Sequence, residues 1–143
     1  MKPTFFVAAG VFALSSTALW ADGITISDAY ARSATPSAMS GAAFMVITNE
    51  SDAPDRLIDV RSDAATRVEL HTHIMTDGVM QMTHLAEGRE IAAGETHMLE
   101  RGGDHVMFMG LASGWRQGDL VHLTLVFEKG GEVELGIPVD LER

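Results

Sequence analysis

The sequence contains no cysteine, and this absence excludes several kinds of protein. Without a thiolate, a blue-copper electron-transfer site cannot form, and no disulfide can hold the fold together. A lipid-anchored lipoprotein also needs a cysteine, so we expect no lipid anchor. In an oxidising compartment, a metal site built without thiolates avoids loss by disulfide formation.

Basic residues are scarce as well. The chain has ten lysines and arginines against twenty aspartates and glutamates, for a formal net charge of −10. An acidic surface argues against nucleic acid and anionic lipid as partners. The sequence also lacks a phosphate-binding loop, a nucleophile–base pair and a paired acid and base. We therefore expect a protein that is not an enzyme.

The chain has one long apolar stretch, at its N-terminus, and it is short for a membrane span. Lys2 precedes the apolar residues 5–14, a Ser-Ser-Thr segment interrupts them, and the small residue Ala21 follows. This pattern predicts a secretory signal peptide over residues 1–21, with cleavage after Ala18 as an alternative. Loss of Lys2 would take the net charge from −10 to −11. One exported domain, residues 22–143, remains, and we expect no stable membrane insertion after cleavage.

Short alternating apolar segments recur between turn signals along residues 22–143. In residues 120–128, for example, every second residue is apolar. Asp77-Gly78 predicts a tight hairpin turn between residues 66–74 and 79–85. No segment shows a long helical period. The pattern predicts an all-β fold, an antiparallel β-sandwich with Greek-key connections.

Histidines and methionines are grouped at strand spacing. The groups are His71-Thr72-His73, Met80-Gln81-Met82 and residues 105–109, with sequence HVMFM. Donors two residues apart share one face of a strand. Thioether and imidazole donors without thiolate form the ligand set expected for Cu(I), whereas zinc favours cysteine, histidine and carboxylate.

We expect one Cu(I) ion held by four side chains, with the hairpin turn bringing two donor groups together and a distant loop supplying the rest. The four favoured ligands are His71, Met82, His105 and Met107. His73, Met80 and Met109 remain open as alternate ligands or as neighbours of the ion. Because imidazoles bind metals in the neutral form, copper affinity should fall below about pH 6.5.

Other histidines and methionines are given ordinary structural roles. The methionines expected to fill the core are Met39, Met45, Met75 and Met98. His84, His97 and His122 are expected at the surface or in hydrogen bonds. Asp104 is expected to cap a turn rather than to orient His105.

At these residues the chain resembles the periplasmic PCu(A)C copper chaperone family (also written PCuAC). The similarity covers almost all of residues 22–143. It includes the segments YAR and ATP at residues 30–36, GAAF at 41–44, ITN at 47–49, VELHTH at 68–73, GVMQM at 78–82, GGDHVM at 102–107 and LTLVF at 123–127. The family's His, Met and distant His-x-Met pattern falls on the same four favoured ligands.

The resemblance implies a cupredoxin-like β-sandwich in the periplasm that binds Cu(I). It further implies delivery towards cytochrome c oxidase assembly, to a copper-accepting oxidase subunit or an assembly protein. The chain ends without the His/Met-rich tail of some relatives, so a second copper site is not expected. Two alternatives stay open, namely a copper buffer or resistance protein without a dedicated acceptor, and a metal-free scaffold or adhesion sandwich.

Overall fold

The structure is a computed structural model, and it describes residues 19–21 and 23–143. The predicted signal peptide, residues 1–21, therefore lies outside the described residues except for its last three. The strands in chain order are β1 Leu19–Ala21, β2 Ile24–Arg32, β3 Ser40–Asn49, β4 Asp55–Arg61, β5 Ala65–Thr76, β6 Val79–His84, β7 Arg89–Ile91, β8 Thr96–Leu99, β9 His105–Leu111, β10 Leu120–Phe127 and β11 Gly131–Pro138. Cleavage after Ala21 would remove β1, which pairs with the start of β2.

Two antiparallel sheets form the domain. The first has the order β1-β2-β3-β9-β5-β6, with β8 also pairing with β3, and the second has the order β11-β10-β4-β7. The chain passes from one sheet to the other after β3, β4, β6, β7 and β9, so strands distant in sequence become neighbours. The predicted all-β antiparallel sandwich is therefore confirmed.

The core lies between the sheets and follows from the alternation of apolar residues. On β10, the buried residues are Val121, Leu123, Leu125 and Phe127. On β9, Val106 and Phe108 are fully buried and project to the same side. Because their strand neighbours project the other way, His105 and Met107 lie on the outer face of the first sheet.

The β5–β6 hairpin extends past the rest of its sheet. The pairing of β5 with β9 ends at the His71–His105 pair, and residues 72–76 of β5 pair with β6 alone. The turn at Asp77-Gly78 has positive φ at both residues, 50° and 79°, as a two-residue type I′ hairpin requires. We call residues 72–83 the hairpin arm.

The predicted core roles of the methionines are wrong for three residues. Met45 is 2% exposed and belongs to the core, whereas Met39, Met75 and Met98 are 62%, 64% and 51% exposed. Met75 is exposed because it lies on the outer face of the hairpin arm, past the end of the pairing between β5 and β9. In residues 19–21 and 23–143, no helix is both long and apolar enough to cross a membrane.

Candidate metal centre

The strands β9, β5 and β6 bring the predicted donors to one outer face. His71 lies opposite His105 across β5 and β9, and opposite His84 across β5 and β6. His73 lies opposite Met82. Directly opposed residues of antiparallel strands project to the same side. The imidazole rings of His71 and His105 have their centroids 6.0 Å apart.

The His105 ring is oriented for binding a metal ion. Its Nδ1–H donates to the Gly103 carbonyl at 3.0 Å, which leaves Nε2 as the unprotonated nitrogen of the neutral ring. That Nε2 lies 3.1 Å from the Met82 sulfur. Two donor atoms thus lie close together, and a backbone carbonyl fixes the tautomer of His105, as is usual for metal-binding histidines.

The His71 ring is held in the complementary way. Its Nε2–H donates to a carboxylate oxygen of Glu69 at 2.8 Å. Its Nδ1 is buried and has no hydrogen-bond partner among the described residues. A buried nitrogen without a partner costs free energy in the metal-free protein, and a soft cation would satisfy it.

Glu69 is the residue that the sequence reasoning missed. Its carboxylate also pairs with Arg67 at 2.9 Å and lies 3.9 Å from His84 Nδ1. The hydrogen bond from His71 is the main cause that lowers the pKa of Glu69, and burial partly opposes it. The carboxylate therefore stays ionised and can offset the charge of a cation bound at His71. Glu69 precedes His71 by two residues, and on a strand this spacing puts both side chains on one face, so the sequence could have indicated that they are neighbours.

Met107 shares the outer face with the other three donors. It lies opposite Glu69 on β5 and opposite Ala42 on β3, one register step from His105. No hydrogen bond between described residues involves its sulfur. Its half-buried side chain lines a shallow cleft beside Phe44 and Arg101. Its flexible thioether can reach towards His105 to join a common ion.

The alternate ligands differ in position. His73 is close, with its ring centroid 5.3 Å from that of His105. Its Nδ1–H donates to the Gly103 carbonyl at 3.2 Å. Met80 lies on the hairpin arm, and Met109 pairs with Arg67 and Ser40 at the other end of β9. His73 is thus a neighbour of the His105 ring.

Asp104 anchors the loop before His105 and does not cap the turn as expected. Its buried carboxylate accepts a bidentate pair of hydrogen bonds from Arg89 and a third from His97 at 2.9 Å. Burial would raise the pKa of Asp104, but hydrogen bonds from Arg89, Thr72 and His97 hold it below the usual value. The ion pair thus joins β7 and β8 to the start of β9.

The centre has a buried floor and an open side. His105 is 4% exposed, and Met82 is 50% exposed on the hairpin arm. Burial lowers the pKa of His105, so its imidazole stays neutral to lower pH than an exposed histidine. In the part of the chain that the structure describes, no three His, Cys, Asp or Glu side chains form a metal-binding group.

Comparisons with known proteins agree with this architecture. The family model described as "Putative lipoprotein LpqE-like" matches residues 24–139. A protein of Leifsonia xyli subsp. xyli named "Putative lipoprotein Lxx21020" is 33% identical over 119 residues, covering 83% of this chain and 70% of that protein.

Solved structures show the same fold. The solution structure of apo-DR1885 from Deinococcus radiodurans is 30% identical, with a TM-score of 0.65, and covers 99% of this chain and 95% of that chain. The copper-bound PCuAC domain from PmoF2 is 24% identical, with a TM-score of 0.71 and coverages of 87% and 98%. The fold is therefore the cupredoxin-like β-sandwich of these domains. The chain belongs to the LpqE-like family, and the PCu(A)C resemblance recognised in its sequence is confirmed.

Proposed function

We propose that this protein is a periplasmic Cu(I) carrier that delivers copper towards cytochrome c oxidase assembly. One observation carries the proposal. His105 Nε2 and the Met82 sulfur lie 3.1 Å apart, and the ring of His71, centred 6.0 Å from that of His105, has a buried Nδ1 without a hydrogen-bond partner among the described residues. A donor set of two imidazole nitrogens and a thioether suits Cu(I) better than zinc or magnesium.

The comparisons support copper as the cargo. The Cu(I) form of DR1885 is 30% identical to this chain, with a TM-score of 0.62 and coverages of 90% and 84%. In the present chain, the favoured ligands remain His71, Met82, His105 and Met107. The proposal assigns them one ion, with Met107 turning from its cleft to complete the ligand set.

The division between rigid and open parts suits a carrier. His71 and His105 are fixed by Glu69 and by the Gly103 carbonyl, so the nitrogen donors need little reorganisation on binding. Met82 enters from the exposed hairpin arm, and its flexible side chain can swing away. An acceptor can therefore replace the sulfur ligand first, without unfolding the site. This arrangement favours transfer of cargo rather than catalysis.

We also propose that the protein is exported and acts in soluble form in the periplasm. The names of the family and of the Leifsonia relative include the word lipoprotein, which supports a place in the cell envelope. None of the 143 residues is a cysteine, so this sequence offers no thiol for a lipid anchor. Partitioning of the native protein between periplasmic and membrane fractions tests the point. Recovery with the membranes after high-salt washing would contradict it.

Anaerobic Cu(I) titration against a competing chelator tests the site. The parent protein should bind one tight equivalent. His71→Ala and Met107→Leu should each weaken that equivalent by at least about tenfold. The matched controls are His122→Ala and Met39→Leu, which remove an exposed histidine and an exposed methionine elsewhere. Absence of a tight equivalent in the parent would favour a metal-free scaffold instead.

Delivery is tested in cells. Deletion of the gene should lower cytochrome c oxidase activity under copper limitation, and added copper should restore it. The parent gene should complement the deletion, and the His71→Ala gene should not. Normal oxidase activity in the deletion strain would overturn delivery and leave a copper buffer as the function.

A further inference from the structure

The outer face of the β5–β6 hairpin carries three successive pairs of opposed donors. His84 lies opposite His71, Met82 opposite His73, and Met80 opposite Met75, nearest the turn. Because residues two apart on each strand share a face, all six side chains lie on one side of the hairpin. The first two pairs belong to the candidate metal centre. The third pair is not among the four favoured ligands.

The third pair is exposed and lies on the hairpin arm. Met75 and Met80 are 64% and 56% exposed, and among the described strands this end of β5 pairs only with β6. Directly opposed side chains have Cβ atoms about 5 Å apart. Two methionine side chains whose Cβ atoms are this close can bring both sulfurs to one ion between them. Thioether pairs are soft donors that select Cu(I) over the hard cations of the medium.

His73 offers a third donor between this pair and the main centre. Its Nδ1–H donates to the Gly103 carbonyl at 3.2 Å, so Nε2 is the unprotonated nitrogen of the neutral ring. The His73–Met82 pair is the register step adjacent to the Met75–Met80 pair. Two residues along a strand correspond to about 7 Å, which long side chains can span.

We propose that Met75, Met80 and the Nε2 of His73 form a second, weaker Cu(I) site at the end of the hairpin arm. On the proposed function, this site would be the point where copper is loaded and released. Its ability to bind the ion does not depend on that function. Its donors are more exposed than His105, so it should fill after the main centre. When the main centre is empty, an ion at this site would pass to Met82 on the same face.

Silver(I) titration of the full protein labelled with ¹³C-methyl methionine tests the proposal. Ag(I) serves as a soft probe that does not change its oxidation state. The first equivalent should shift the methyl signals of Met82 and Met107. The second equivalent should shift those of Met75 and Met80. A double variant, M75L/M80L, should lose the second step and keep the first within twofold of its original affinity.

The matched control is the double variant M39L/M98L. Met39 and Met98 are 62% and 51% exposed, close to the values for Met75 and Met80, but they lie outside the hairpin. This variant should retain both steps. Methionine-to-leucine changes at exposed positions should leave the fold intact.

Two results would overturn the second site. In one, the methyl signals of Met75 and Met80 shift no more than those of Met39 and Met98 when up to three equivalents of Ag(I) are added. This result is expected if the exposed methionine pair binds a protein partner and not a metal ion. In the other, M75L/M80L retains the second step. Failure of the proposed function looks different, because Met82 and Met107 would then not respond to the first equivalent, whatever the hairpin pair does.

Discussion

The carboxylate of Glu69 should control copper affinity without binding the ion. It accepts the Nε2–H of His71 at 2.8 Å and so leaves Nδ1 as the free donor. The side chains of Glu69 and His71 are 16% and 13% exposed, so water screens their interaction little. Groups that orient a metal-binding histidine typically contribute 10- to 100-fold to metal affinity.

Two substitutions separate orientation from charge. Glu69→Gln keeps a carbonyl that accepts the Nε2–H but removes the negative charge beside the cation, and we expect about tenfold weaker binding, or about 1.4 kcal/mol. Glu69→Ala also removes the acceptor, so the expected loss is about 100-fold, or about 2.7 kcal/mol. Competition with a Cu(I) chelator at constant pH measures both.

The control for overall charge is Glu132→Gln. Glu132 is an exposed residue of the second sheet that pairs with Arg61, and its loss also changes the net charge by one. It should leave copper affinity within twofold. Equal affinities for the parent, Glu69→Gln and Glu69→Ala proteins would refute the claim that Glu69 prepares His71.

Two further predictions concern stability of the metal-free protein. Burial lowers the pKa of His105, so the unfolded chain takes up a proton near pH 6.5 while the folded protein does not. The free energy of unfolding, measured by urea titration, should therefore fall as pH drops below about 6.5, until the pKa of His105 in the folded protein is reached. The His105→Asn variant should show a smaller dependence of this free energy on pH. An unchanged dependence would contradict the claim that burial of His105 causes it. Asp104→Asn should lower the free energy of unfolding by about 2 kcal/mol, because it weakens the hydrogen bonds from Arg89 and His97. Asp59→Asn, in an exposed ion pair, should cost less than about 1 kcal/mol, and equal losses for the two variants would argue against the anchoring role of Asp104.

The sandwich could be predicted from the sequence because alternation and turn chemistry are local. The buried set on β10 follows from a period of two, and the hairpin follows from Asp77-Gly78. That turn also sets the register, so the neighbourhood of His73 and Met82 could be expected. By contrast, the exposure of Met75 depends on where β9 stops pairing with β5. Such an end point is a property of the whole sheet, and methionine content alone does not reveal it.

The candidate site was predictable in its residue types more than in its geometry. His71 and His105 are opposed across two strands that are far apart in the sequence, and no local pattern gives that register. Glu69 could have been noticed as a strand neighbour of His71, but its hydrogen bond depends on side-chain orientation. The interaction of Asp104 with Arg89 depends on how β7 packs against the residue before β9, and turn preferences do not predict it.

X-ray absorption of the protein loaded with one equivalent of Cu(I) tests the central claim most directly. The proposed centre predicts two nitrogen and two sulfur neighbours around the ion. One nitrogen should be lost in His71→Ala and one sulfur in Met107→Leu. A first shell of nitrogen and oxygen alone, or a spectrum unchanged in both variants, would contradict a copper centre built from His71, Met82, His105 and Met107.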